Sequence, residues 1–399
     1  MIPKTVRLQK PFCAYCVAEP STYYNEENRA WQGAPSIART HGGRLYLSFM
    51  SGGIYEPDPR NYRPHYYSDD NGETWNGPFM VLESDSGNRM RVSDGSLWTA
   101  PDGRLWMFWV LCPYADGLEM PNYTQKMDME NDSEYHAMEA ENEIWCSVCE
   151  NPDEDELRFT EARFLFRGQM INKPFVTASG AWLIPCYLTP ARSYFEFYRS
   201  EDCGKTFTPV RAEGRALQRA FDEPSFYQVP DGRIAVAVRT REPRYLRMFS
   251  SDDGKTWSAP EIFMEAASQR PQVQTVKGGA SVLVTSVHSS KRNGMRLLVS
   301  EDGIGFTERL LLDDRERVSY PDFDQAPDGT LFIAYDRERN NKIRKSLITQ
   351  SSEAAKEILF ARVSRRTVES GEMDEVTVRA RVISKAKINE LNNRFVNDN

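Results

Sequence analysis

Apolar positions in this chain fall into short runs, and a glycine opens each one. GRLYLSF starts at Gly43, GRLWMFWV at Gly103, GAWLIPCYL at Gly180, GRIAVAVR at Gly232, GASVLVTSV at Gly279 and GTLFIAYD at Gly329. Runs this short and this continuous suit strands buried on both faces. Each is followed by a further strand-like run: RPHYYS, EIWCSVC, YFEFYRS, YLRMFSS, MRLLVS and EILFARV. Six pairs predict six small sheet modules. Long helical periodicity is absent before about residue 364. Small sheets repeated radially leave few exposed edges. The predicted fold is therefore all-β, a six-bladed β-propeller over residues 1–365 with no internal domain boundary. Residues 366–399 read as a polar C-terminal extension that frays.

A second repeat interleaves with the first, with the form Ser-x-Asp-x-Gly-x-Thr-Trp/Phe. It occurs at Ser68-Asp70-Gly72-Thr74-Trp75, Ser200-Asp202-Gly204-Thr206-Phe207 and Ser250-Asp252-Gly254-Thr256-Trp257, with a degenerate copy, SEDGIGF, from Ser300. Asp can accept bonds from nearby backbone amides, and Gly tolerates the positive φ of a tight turn. The aromatic anchors the turn by burial. This motif is expected to staple hairpins, not to do chemistry.

Charge narrows the function. Fifty Lys+Arg against 58 Asp+Glu give a net charge of −8, which argues against a general nucleic-acid surface. No run of about 18 apolar residues is present, so no membrane partner is expected. The first residues, MIPKTVRLQKPFCAYCV, lack the apolar stretch of a secretory signal, and seven cysteines suit reduced thiols. A cytoplasmic location is the expectation. Residues 116–156 hold 14 Asp/Glu and one basic residue, Lys126. They read as a solvated insertion, a lid or a subunit contact. Cys13-x-x-Cys16 and Cys146-x-x-Cys149 have a superficial zinc spacing, but a strand puts Cys146 and Cys149 on opposite faces. The four histidines show no metal-ligand spacing, and no phosphate or dinucleotide loop is present. No cofactor and no metal are expected.

Four further segments resemble the sialidase family of six-bladed propellers. In EPSFYQVPDGRIAVAVR, Glu223 and Arg239 are sixteen residues apart. The resemblance implies that Glu223 polarises a tyrosine nucleophile and that Arg239 holds the substrate carboxylate. VSYPDFDQAPDGTLFIAYD is similar to the segment presenting that tyrosine, which implies Tyr320. VHSSKRNGMRLLVSEDG resembles the segment with a second carboxylate-binding arginine: Arg292, with Arg296 as rival. SGGIYEPDPRNYRPHYYSDD resembles the loop carrying the acid/base Asp, which implies Asp58, with Glu56 close behind. One departure stands out. Sialidases open with Arg-Ile-Pro, whose Arg grips the substrate carboxylate; here WQGAPSIAR puts Gly33 at that place. Arg29, Arg39, Arg89 and Arg91 are the alternatives. Arg91 with Asp94 is either an internal ion pair or pocket lining, and His288, four residues before Arg292, lines the pocket or sits at the surface.

The chemistry has a reason independent of family. Most glycosidases use two carboxyl groups, with tyrosine the noted exception. A carboxylate on the anomeric carbon repels an attacking carboxylate, and a neutral phenol avoids this. With an ordinary pKa near ~10, the phenol needs a neighbouring base. Guanidiniums bind a carboxylate bidentately, and an Asp can protonate the leaving oxygen. The expected function is an exo-acting, retaining glycoside hydrolase on sialic acid or another acidic glycoside, with an anionic carbohydrate as partner. A glycosidase or lyase on uronic-acid sugars, a non-catalytic carbohydrate-binding propeller, and an interaction scaffold using the acidic insertion are the alternatives.

Overall fold

Every glycine-opened run is the second strand of an antiparallel sheet. The turn before it has one geometry six times over. The N–H of Thr40, Ala100, Thr177, Val229, Val276 and Ala326 donates to the carbonyl four residues on, at 2.8–2.9 Å. The glycine N–H then donates back to the same residue's carbonyl at 2.9–3.1 Å. These glycines have φ between 84° and 105°, which a side chain disfavours. The computed structural model describes residues 5–53, 56, 58–114, 140–187, 196–211, 222–240, 242–266, 269–286, 292–339 and 356–387.

The chain divides into two compact units: Met1–Gly168 with Asp336–Leu359 and Val382–Asn399, and Gln169–Tyr335 with Phe360–Arg381. In the first unit, a sheet of Gln32–Arg39, Leu45–Ser51, Arg63–Ser68 and Asn76–Leu82 gains a fifth strand, Cys16–Val17. A second sheet holds Met90–Thr99, Leu105–Pro113, Glu143–Cys149 and Arg163–Arg167. Tyr46, Tyr67, Leu97, Met107 and Trp109 pack in one buried cluster with Phe12 from the N-terminal segment. In the second unit, three four-stranded sheets follow in chain order, from Phe175–Val176, Asp222–Gln228 and Gln272–Thr275. Tyr227, Val273, Leu283 and Leu298 form a buried cluster there. The sixth sheet is Val318–Gln325, Leu331–Arg337, Lys356–Val363 and Val378–Ala386. The fold class is the six-bladed β-propeller, as expected.

The structure corrects two boundaries. Val378–Ala386 is the fourth strand of the sixth sheet, so the chain after residue 365 is not a fraying tail as far as residue 386. A short helix, Arg365–Ser370, leads to it, capped by the Ser364 hydroxyl and ended by Gly371 at φ 78°. The strand reads as polar because it is mostly half-buried, as an outermost strand is. The acidic insertion is also narrower than 116–156. Glu143–Cys149 is a strand of the second sheet, and Glu154 N–H closes a turn onto Asn151. Residues 115–139 lie outside the described residues. Among the described residues, no helix is long and apolar enough to cross a membrane.

The Ser-x-Asp repeats join third strands to fourth strands. In the three full copies, Gly72, Gly204 and Gly254 N–H donate to the Ser hydroxyl at 2.8–2.9 Å. Thr74, Thr206 and Thr256 donate through both N–H and hydroxyl to the Asp carboxylate, the hydroxyls at 2.6 Å. The copy at Asp302 takes the N–H of Ile304 and Gly305 instead. In the third copy, Trp257 is buried against Phe197 and Phe226, with ring centroids 5.5 and 5.6 Å away. Its indole N–H caps the Gly254 carbonyl at 3.2 Å. Packing should outweigh the polar staple. Trp257→Ala is expected to cost about 3–5 kcal/mol, and Asp252→Ala at its exposed turn about 1 kcal/mol. Urea unfolding of the two variants checks the ranking, and the reverse order would show that the staple dominates.

Candidate active site

The sixteen-residue spacing of Glu223 and Arg239 is that of a tight hairpin. Asp222–Gln228 pairs antiparallel with Ile234–Arg239, and Asp222 stands opposite Arg239 at the open end. A register shift between Asp222 and Ser225 places Glu223 in a bulge at φ 50°, just before Pro224. Bulges re-aim side chains, and residues before proline avoid the helical region. Glu223 is 3% exposed, and both its oxygens accept from Arg239 Nη1 at 3.1 Å.

Tyr320 arrives in the same way from the Val318–Gln325 strand: φ 52°, followed by Pro321, 5% exposed. Its hydroxyl donates to Glu223 Oε1 at 2.8 Å and accepts from Arg239 Nη1 at 3.0 Å. Arg292, also at positive φ, places its guanidinium carbon 5.2 Å from the Tyr320 ring centroid. Arg296, the rival, instead pairs with Glu308 at 3.4 Å. The structure thus brings together Tyr320, Glu223, Arg239 and Arg292.

Electrostatics fix the protonation of this cluster. Burial pushes the Glu223 carboxyl up. The field of Arg239, the bonds from Tyr320 and Arg239, and the field of Arg292 outweigh it, and the net shift is downward. Glu223 is therefore ionised at neutral pH and ready to accept the phenol proton. Tyr245, across the sheet from Arg239, bonds instead to Thr285 Oγ1 at 2.6 Å. Its phenol is pushed well above the usual range, chiefly by burial.

With this geometry in view, comparisons with known proteins decide the family. A family model described as a BNR repeat-like domain matches residues 97–333. The chain belongs to the BNR repeat-like family. No curated protein sequence matches it. Solved structures share its fold at low identity. The intramolecular trans-sialidase from Ruminococcus gnavus, in complex with oseltamivir carboxylate, is 14% identical with a TM-score of 0.62, over 89% of this chain and 99% of that one. The leech intramolecular trans-sialidase is 14% identical with a TM-score of 0.61, over 88% and 71%. The NanB sialidase from Streptococcus pneumoniae is 13% identical with a TM-score of 0.58, over 80% and 67%. This BNR-repeat chain thus has the six-bladed propeller fold of sialidase type.

The remaining predicted residues of this BNR-repeat protein lie in the other unit, apart from His288, which falls outside the described residues. Asp58 is fully buried. Its Oδ1 accepts from Arg60 N and Nε at 2.8 and 2.9 Å, and its Oδ2 from Arg60 Nη2 at 2.8 Å. An acid role for Asp58 therefore requires Arg60 to swing away. Glu56 pairs with Arg339 at 2.7 Å. Arg91 is half-buried on the Met90–Thr99 strand, opposite Cys112. Gly33 leaves no room for a side chain. A Cβ there would lie 2.3 Å from Arg339 Cδ, so an arginine supplied from residue 339 covers that face. Among the described residues, no group of His, Cys, Asp and Glu is arranged to hold a metal.

Sequence reasoning missed two buried cations. Lys173 Nζ reaches Asp322 Oδ1 at 2.5 Å and the Phe323 carbonyl at 2.9 Å. Arg270 donates to main-chain carbonyls, among them that of Tyr320 at 3.1 Å. A signal for both was present. Ala34-Pro35, Lys173-Pro174, Glu223-Pro224, Arg270-Pro271 and Tyr320-Pro321 recur before or within the first strands of five sheets, the last four 47–50 residues apart.

The lowered Glu223 carboxyl gives a prediction with a definite sign. A carboxylate whose folded pKa is depressed contributes stability above its unfolded pKa and loses it as pH falls through the folded value. Glu223→Gln leaves Arg239 and Arg292 without their counter-charge and should cost about 3 kcal/mol at neutral pH. The deficit should hold from pH 8 to about 5 and shrink at lower pH, below the unfolded carboxyl's ~4.3. Urea unfolding across this range checks it. A deficit already gone at pH 6 would mean a raised carboxyl.

Proposed function

We propose that this protein is a retaining glycoside hydrolase acting on an acidic glycoside, with sialosides the first candidate. The observation that carries this reading is the Tyr320 hydroxyl, 2.8 Å from the buried Glu223 carboxylate and 3.0 Å from Arg239. A phenol and its base within hydrogen-bond reach form an activated nucleophile, which a purely binding surface has no need of. Fold similarity is support of a weaker kind. One structural neighbour is solved with oseltamivir carboxylate, an acid that paired guanidiniums would suit.

The reaction has two displacements at the anomeric carbon. Arg239 and Arg292 hold the substrate carboxylate. Glu223 takes the phenol proton as Tyr320 Oη bonds to the anomeric carbon, and the glycosidic C–O bond breaks. The leaving oxygen needs a proton, and Asp58 is the group the sialidase resemblance names for it. Water then attacks the anomeric carbon and gives a proton to the acid/base group that the resemblance names, the bond to Tyr320 breaks, and Glu223 returns its proton to the phenolate. Attack by a phenol that stays neutral until its proton passes to Glu223 avoids the charge repulsion that a carboxylate would meet.

A second reading keeps the mechanism and changes the sugar. With Gly33 where the resemblance expects arginine, a uronic-acid glycoside held by Arg239 and Arg292 is the alternative. Hydrolysis of 4-methylumbelliferyl N-acetylneuraminic acid by the wild type and by Tyr320→Phe tests the proposal. Wild-type turnover should fall on the order of 10³-fold or more in the variant. Full turnover in Tyr320→Phe would sink the mechanism. An inert wild type that cleaves a uronic-acid glycoside, again only with Tyr320 present, would select the second sugar.

A further inference from the structure

Arg270 has no place in the chemistry above, yet it is fully buried directly beneath the nucleophile. Its Nη1 donates to the Ile171 carbonyl at 3.1 Å. Its Nη2 donates to the carbonyl of Tyr320 itself at 3.1 Å and also to that of Pro321. Its guanidinium carbon lies 5.8 Å from the Tyr320 ring centroid. Three carbonyls from two chain segments thus meet on one planar cation, an arrangement the single head of a lysine cannot reproduce.

We infer that Arg270 is a positioning residue that fixes the Tyr320 backbone and favours the phenolate of the nucleophile. Two physical effects are combined. Tyr320 holds a left-handed backbone, φ 52°, which a non-glycine residue keeps only when its surroundings enforce it. Arg270 grips the carbonyls of Tyr320 and of the next residue, Pro321, and so enforces it. Its charge also lies near the ring, in a buried setting where Coulomb terms are strong. The other charged groups around this tyrosine are Glu223 and Arg239 at the hydroxyl, Arg292 over the ring, and the Lys173–Asp322 pair two residues along. Glu223 opposes the phenolate, and Arg239, Arg292 and Arg270 favour it.

The inference rests on Tyr320 being the nucleophile, and its test separates the two claims. A 2,3-difluorinated sialic acid is the probe. Tyr320 Oη bonds to the anomeric carbon, C–F breaks, fluoride leaves, and the phenol proton passes to Glu223. No acid is needed, so Asp58 does not enter. Labelling rates are followed by intact mass and mapped to Tyr320 for wild type, Arg270→Lys and Arg270→Met. Arg247→Met serves as a control for loss of a buried arginine; that side chain is held by Glu261 and the Ile304 carbonyl.

Arg270→Met should label at least about 10-fold more slowly, with the pH of half-maximal rate moved up by about one unit. Arg270→Lys should fall between, and it carries the test if the Met variant does not fold. Arg247→Met should keep the wild-type profile. Equal rates and midpoints in wild type and the Arg270 variants overturn the inference while leaving the nucleophile in place. A wild type that takes no label overturns sialic acid as the sugar this nucleophile attacks. In that case the ring-carbon resonance of Tyr320, assigned by its loss in Tyr320→Phe, decides on position alone. An unchanged resonance in Arg270→Lys rejects the inference, and a displaced one supports it.

Discussion

A buried carboxylate must be paired, and the candidate site follows from that requirement at Glu223. Desolvating a charge costs several kcal/mol unless partners replace the water. Arg239 supplies bonds to both oxygens, Arg292 adds its field, and the Tyr320 hydroxyl completes the set. Each partner is thereby fixed by the others. The phenol is aimed because the carboxylate needs a donor. The carboxylate stays ionised because the guanidiniums are near.

Beneath this layer lies a second that holds the backbone. Asn172 Nδ2 caps the carbonyls of Glu223 and Pro224 at 2.9 and 2.8 Å, as Arg270 caps those of Tyr320 and Pro321. Lys173 and Asp322 form a buried pair next to both. The strained residues thus rest on side chains whose polar ends are spent on main chain. A site built this way needs little reorganisation when charge develops at the phenol, and that is where electrostatic preorganisation has its effect.

Much of this is legible in sequence because turns announce themselves. Glycines at positive φ mark six second strands, and Ser-x-Asp repeats mark four hairpins. Glu223 and Arg239 are legible because an antiparallel hairpin turns their spacing into neighbourhood. What escaped notice is polar and buried. Lys173 and Arg270 each stand between an amide residue and a proline and belong to no motif, although tertiary partners far along the chain satisfy them. Val378–Ala386 escaped for the opposite reason: it is a half-exposed outer strand with a polar sequence. The choice between Arg292 and Arg296 is not encoded in spacing at all. It depends on which of them lies over a ring nearly thirty residues on.

The X-Pro repeat explains how one architecture can carry a site at all. In two sheets of the second unit the residue before that proline sits at φ 50–52°, and Ala34 in the first unit has φ 51°. The X-Pro position recurs with Ala34, Lys173, Glu223, Arg270 and Tyr320 before the proline, and the left-handed backbone goes with Ala34, Glu223 and Tyr320. Position is thus set by the repeat and chemistry by single residues. At the first slot, Ala34 N–H donates to Asp336 at 2.8 Å, while Arg339 covers the adjacent Gly33. The strand segment that begins with glycine and alanine has therefore given its side-chain space to a partner from the sixth sheet's loop. A guanidinium reaching that face from residue 339 comes already tied to Glu56. Its charge is thus already spent in part on a carboxylate of its own unit.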